Sequence, residues 1–220
     1  MAVSDVHAPR YLESFIERLT PIDADLVLLA GDMVDKGNPG AFWEVFKWLR
    51  EVFAAPIISC FGNSEWFYYR GTFKRRFPAI VWLDDEGVIL NCRDAGRVAL
   101  FGSLGVLGRP TRWQLKNYPS ITQVYKSRIN SITQFFENVE SDKRILLTHY
   151  ATSMKTVLGE GWEYMDELGC DLSALFESCN IDLSIHGHAH NSTVSSTKIG
   201  KTRVYNVAFP VTCGCTCIEL

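Results

Sequence analysis

The run Leu26-Val27-Leu28-Leu29-Ala30, stopping at Gly31-Asp32, constrains this chain more than any other stretch. Five apolar residues without polar alternation describe a strand covered on both faces, as in a sheet held between other layers. Similar runs recur at residues 56–61 and 145–148, with shorter ones at 1–4 and 182–185. Between them lie stretches of helical spacing. Leu12, Phe15, Ile16 and Leu19 form one apolar stripe, and Phe42, Val45, Phe46, Leu49 and Phe53 form another, with Asn38 and Pro39 placed as its N-cap and first turn. A third stripe runs through Ile121, Val124, Tyr125, Ile132, Phe135 and Phe136. Strands and helices alternate, which predicts an α/β architecture.

The remaining segments fit around that frame. Residues 80–83, 88–91 and 97–101 read as a β-meander, residues 103–119 as a long loop and residues 151–168 as irregular chain. Leu172, Leu175, Phe176 and Cys179 mark a short helical face. Residues 193–199 and 202–207 form a hairpin turning at Gly200-Lys201, and a last strand is expected to end at Leu220. In that strand Cys213, Cys215 and Cys217 would share one face as small core residues; a thiolate metal site there would need a fourth ligand that the local sequence lacks. Seven cysteines cannot all pair as disulfides. With no repeat or linker in 220 residues, residues 1–220 are expected to form a single domain. No apolar run is long enough to span a membrane and no secretory signal opens the chain, so a cytoplasmic location is expected. A net charge of -3 argues against broad binding of nucleic acid.

The apolar runs end in residues able to bind metal. The first ends at Asp5-Val6-His7, the second at Gly31-Asp32, the third at Gly62-Asn63 and a later one at His149. The run before Gly187 delivers His188 and His190, which with His186 make three of the five histidines in the chain. Ligand sites in open α/β sheets lie beyond the carboxyl ends of strands, so these residues converge on one crevice. Mixed carboxylate, amide and imidazole donors suit Mn, Fe, Co, Ni or Zn better than Ca or Mg. There are too many donors for one tetrahedral ion; two ions about 3.5–4 Å apart, sharing a carboxylate, would use them.

These motifs, in this order, resemble the calcineurin-like metallophosphoesterases. The resemblance implies a four-layer α-β-β-α sandwich of two mixed sheets flanked by helices, with the C-terminal hairpin and last strand in the second sheet. It implies that Asp5, His7 and His190 bind a first ion, that Asn63, His149 and His188 bind a second, and that Asp32 bridges them. Manganese is the favoured ion. The implied activity is hydrolysis of a phosphodiester, in a small phosphoester or nucleotide-type substrate, by a hydroxide between the two cations. A phosphomonoesterase acting on nucleotides or phosphoproteins, or a weakly active binding scaffold, are the alternatives. Asp32, Asn63 and Glu65 are the expected catalytic residues.

One position departs from the pattern. Many family members read Gly-Asn-His followed by an acid, and this chain reads Gly62-Asn63-Ser64-Glu65. Ser64 can donate a hydrogen bond but cannot protonate a leaving group near neutral pH. Glu65 would serve as that acid if burial raised its pKa, or else as a hydrogen-bond acceptor behind the ligands. Asp35 is expected to accept the second N–H of a ligand histidine, and His186 to pack or orient rather than ligate. Arg70, beside the aromatic run at 66–69, and Arg109 and Arg112 in the long loop are candidates for binding substrate, and residues 151–168 are a candidate lid.

Overall fold

Alternation along each strand decides how the layers stack. In the computed structural model, which describes residues 1–220, four parallel strands form a first sheet in the order β1 (Ala2–Val3), β2 (Val27–Ala30), β3 (Ile57–Cys60) and β4 (Ile80–Leu83). Val27 and Leu29 point outward into a core shared with α1 (Leu12–Glu17), α2 (Phe42–Val52) and α3 (Phe67–Arg76). Leu28 and Ala30 point the other way, into a core between the two sheets. Both faces of β2 are therefore dry, which is why its sequence never alternates.

The second sheet has six strands: β5 (Glu86–Cys92), β6 (Gly96–Ser103), β7 (Lys143–Thr148), β8 (Leu183–His186), β9 (Ser196–Ile199) and β10 (Thr202–Asn206). Their order is β5-β6-β7-β8-β10-β9, parallel in the middle with antiparallel strands β5 and β9 at the edges. Ile145 and Leu147 of β7 meet the first sheet, while Leu146 faces α5 (Ile121–Glu137) and α6 (Ser173–Ser178) on the outer side. The result is the expected α-β-β-α sandwich, except that two mixed sheets were expected and the first is wholly parallel, only the second being mixed. No helix is long and apolar enough to cross a membrane.

Four local expectations need correction. Residues 80–101 are not a meander: β4 joins the first sheet parallel to β3, and only β5 and β6 form a hairpin. The chain changes sheets at Asp84-Asp85, where Asp85 takes φ 61° and accepts hydrogen bonds from Ser103 and Arg128. Asn38 does not cap α2; its side chain accepts from Gly40 N–H at 2.9 Å, forming a turn ahead of the helix start at Phe42. The loop at 103–119 contains α4 (Arg112–Asn117), opened by a capping box between Thr111 and Gln114. The last strand is absent. The chain instead forms α7 (Phe209–Thr212), turns at Cys213 in the left-handed region and touches β1 by one bridge at Thr216. Cys213 and Cys217 are exposed and Cys215 is half-buried, so these cysteines do not form a core stripe.

Candidate metal centre

All the motif residues lie past the carboxyl ends of parallel strands. Asp5 and His7 follow β1, Asp32 follows β2, Asn63 follows β3, His149 follows β7, and His188 and His190 follow β8. Turning these loops sharply enough takes unusual backbone. Asp5, His7, Asp32 and His188 have φ of 57°, 45°, 50° and 69°, a region in which a non-glycine residue costs about 1–2 kcal/mol. Buried acceptors hold the turns in place. Glu65, 2% exposed, accepts from the backbone N–H groups of Asp32 and Gly62, both at 2.8 Å, and of Val34 at 3.2 Å. Asp5 Oδ2 accepts from His188 N–H at 3.0 Å and from the Ser4 hydroxyl at 2.5 Å.

The side chains gather into two groups. Asp5, His7 and His190 form one, and Asp32, His149 and His188 the other; within each group the potential donor atoms lie within 4.8 Å of one another. Asp32 Oδ2 stands between the groups, 3.7 Å from His7 Nε2 and 3.5 Å from His149 Nε2. Asn63 Oδ1 joins the second group, 3.0 Å from His149 Nε2. Each group draws on both sheets.

Three observations fit divalent cations. His7 Nε2 is buried and has no hydrogen-bond partner. His7 Nδ1–H donates to Asp35 Oδ1 at 2.8 Å, and His149 Nδ1–H donates to the Ala30 carbonyl at 3.0 Å, so both rings turn Nε2 toward the groups. The electrostatics agree. Burial lowers the pKa of His7, but the carboxylates of Asp5, Asp32 and Asp35 more than reverse this and push it up to about 9. Burial would raise Asp5, yet its hydrogen bond with His190 and the closeness of His7 and His149 hold it well below the usual carboxylate range. Without cations, this concentration of negative charge draws protons onto imidazoles.

The groups open into a cleft of about 280 Å³ lined by His7, Asp32, Asn63, His188 and His190, together with Ser64, Glu160, Leu168 and Asn191. A larger cavity of about 490 Å³ lies between the sheets and is lined mainly by apolar side chains such as Leu28, Ile145 and Leu183. None of the motif residues lines it.

The family model for calcineurin-like phosphoesterases matches residues 1–192. This chain belongs to the calcineurin-like phosphoesterases. Among curated proteins none matches its sequence. Among solved structures it is similar to phosphopantetheinyl hydrolase (PptH) of Mycobacterium tuberculosis, with 16% identity and a TM-score of 0.73 over 94% of this chain and 87% of that one. It is also similar to TT1561 of Thermus thermophilus, with 14% identity and a TM-score of 0.59 over 96% and 88%. At such identities these likenesses establish the fold.

The other candidate residues of this phosphoesterase fall in several places. Ser64 lines the cleft and donates to both oxygens of Asp32, its N–H to Oδ1 at 2.7 Å and its hydroxyl to Oδ2 at 2.9 Å. Glu65 lies beneath the cleft. Burial and the charge of Asp32 raise its pKa to about 7, but both its oxygens face backbone N–H groups, so it holds the two turns and does not reach the substrate space. His186 is buried, with Nε2 2.7 Å from Thr156 Oγ1 and its Nδ1–H donated to the Gly187 carbonyl at 2.9 Å. Burial lowers its pKa to about 4.

The candidate arginines do not line the cleft. Arg70 is buried against Phe61 and pairs with Asp84 at 2.5 Å. Arg109 pairs with Glu167 at 3.2 Å and donates to the Glu163 carbonyl, and Arg112 is exposed at the start of α4. Segment 151–168 borders the cleft through Glu160 and Leu168 and is tied to its neighbours at several points. Ala151 bridges Gly169, and the Leu158 carbonyl accepts from Thr193 N–H at 2.7 Å. Three cleft residues, Glu160, Leu168 and Asn191, were not singled out from the sequence, although Glu160 and Leu168 lie in the candidate lid. Glu160 and Asn191 meet across 31 positions, and neither belongs to a motif.

Proposed function

We propose that this chain is a metal-dependent phosphoesterase that hydrolyses a phosphodiester. The observation that carries the reading is the pair of Asp/His groups joined at Asp32, with the His7 and His149 rings already turned toward the joint. Asp5, His7 and His190 would hold one divalent cation, and Asn63, His149 and His188 a second, with Asp32 shared; manganese suits this mixed donor set. Bound cations would neutralise phosphate oxygens and make water acidic enough to supply a nucleophile near neutral pH.

The chain's own residues do the rest. Asp35 fixes the tautomer of His7, and the Ala30 carbonyl fixes that of His149. Ser64 holds both Asp32 oxygens, so the shared carboxylate cannot rotate. Glu65 supports Asp32 and Gly62 from below. One feature supports a diester over a monoester, and a second bears on the leaving group. The cleft is lined by no lysine or arginine that would match the second negative charge of a monoester. Ser64, in the position of the family's usual histidine, offers no proton to a poor leaving group, which favours an ester of an acidic alcohol.

The test is metal-stripped protein resupplied with manganese and assayed on a chromogenic phosphodiester and the matching monoester. Turnover that needs manganese, stops with chelator and is faster on the diester is the expected result. Faster monoester turnover would reverse the substrate preference, and no turnover of either would refute the enzymatic reading.

A further inference from the structure

We infer that Glu160 is the residue that sets substrate charge in this cleft, discriminating against dianionic phosphomonoesters in favour of singly charged phosphodiesters. This deepens, and rests on, the phosphoesterase reading above. Among the residues lining the cleft, Glu160 is the charged side chain that belongs to neither Asp/His group. The charge of Asp32 would be spent on cations, whereas Glu160 adds a negative charge to the cleft lining, with no lysine or arginine lining the cleft to offset it.

The carboxylate is also fixed in position. Oε1 accepts from the backbone N–H of Asn191 at 2.7 Å, and Oε2 from its side-chain Nδ2–H at 2.9 Å. Asn191 directly follows His190, so Glu160 is tied to the loop that carries two of the candidate ligands. The chain leading into it is tied by the Glu160 N–H donating to the Val157 carbonyl at 3.2 Å and by the Thr193 N–H donating to the Leu158 carbonyl at 2.7 Å. A rigid carboxylate without a cationic partner, at the mouth of a phosphate site, repels in proportion to the charge on the incoming phosphate. Across a partly solvated cleft, one additional negative charge corresponds to on the order of tenfold in kcat/KM.

The experiment uses the full chain loaded with manganese and measures kcat/KM for a chromogenic monoester and the matching diester. Glu160→Gln keeps the side-chain shape and removes the charge. It is expected to raise the monoester-to-diester ratio about tenfold, mainly through a lower monoester KM. Added salt should shift the ratio toward the monoester more in the wild type than in the variant. Asn191→Ala removes one tether but keeps the charge, and should retain the wild-type ratio. An unchanged ratio in Glu160→Gln overturns the inference alone, as does an equal shift in Asn191→Ala, which would mark a positioning role instead. A wild type that turns over neither ester overturns the underlying reading and this inference with it.

Discussion

One methyl group at Gly187 should dismantle the first Asp/His group. A Cβ there would stand 2.9 Å from Ser4 Cβ and closer still to Ser4 Oγ and Asp5 Oδ2. Asp5 is fully buried, so its carboxylate has no open side into which to move. Restoring ordinary contact displaces it by roughly 1 Å, which breaks its hydrogen bonds from His188 N–H and the Ser4 hydroxyl. Each bond to a charged acceptor contributes about 1.5–3 kcal/mol, so Gly187→Ala should destabilise the fold by roughly 4 kcal/mol and lower Tm by about 10 °C. The same shift spoils the 2.8 Å approach of His190 Nε2 to Asp5 Oδ1 and should cost about 100-fold in turnover. Metal content per chain, thermal unfolding and diester hydrolysis measure the three effects. Gly200→Ala is the control. Its backbone has φ 57°, which an alanine adopts only with strain, but a Cβ there meets nothing within 4 Å, so it should cost about 1 kcal/mol and leave activity intact. A Gly187→Ala protein with wild-type metal content and turnover would refute the reasoning.

Asp32→Asn should abolish manganese-dependent turnover and leave the far-UV circular dichroism spectrum unchanged; retained activity would rule out its shared position. Asp35→Ala frees the His7 ring and should weaken metal binding about 10–100-fold, measured by titration against a competing chelator, while a wild-type affinity would show that the 2.8 Å bond does not orient the ligand. Arg70→Ala leaves Asp84 unpaired in a partly buried site and should cost about 3 kcal/mol in a denaturant titration with KM unchanged. A raised KM with undiminished stability would return Arg70 to the substrate side.

The layers were legible because each sheet residue obeys a simple rule. Leu26 to Ala30 lack polar alternation because helices cover one face and a second sheet covers the other. The motif residues were legible because parallel strands deliver their ends to one edge, so short local patterns suffice. Pairing across distance left no such signal. β4 and β5 read alike, and only the setting of Asp85, with Ser103 and Arg128 on it, shows where the chain changes sheets. Arg70 read as a substrate residue because its aromatic neighbours suggested a stacking platform; burial over Phe61 was not written locally. The start of α4 was missed, although Thr111 and Gln114 form a capping box, because the glycines and prolines around it read as loop. Glu160 and Asn191 meet only after two loops have folded, and no spacing rule connects them.

Each Asp/His group takes residues from both sheets, and this gives an occupied site a second effect besides chemistry. A cation bound by Asp5 and His190 would cross-link points 185 positions apart in the chain. In the unfolded state such a link closes a very long loop, and the cost of that closure is largest when the loop is longest. Filled sites would act as a clasp on one end of the sandwich, and emptying them would let the seam between the sheets breathe from that end first. Resistance to heat and proteolysis should therefore follow metal supply, and hydrogen exchange in β2 and β8 should speed up under chelation before exchange in the outer helices does. A cell starved of the ion would not merely hold an idle enzyme; it would hold a looser one, more exposed to degradation.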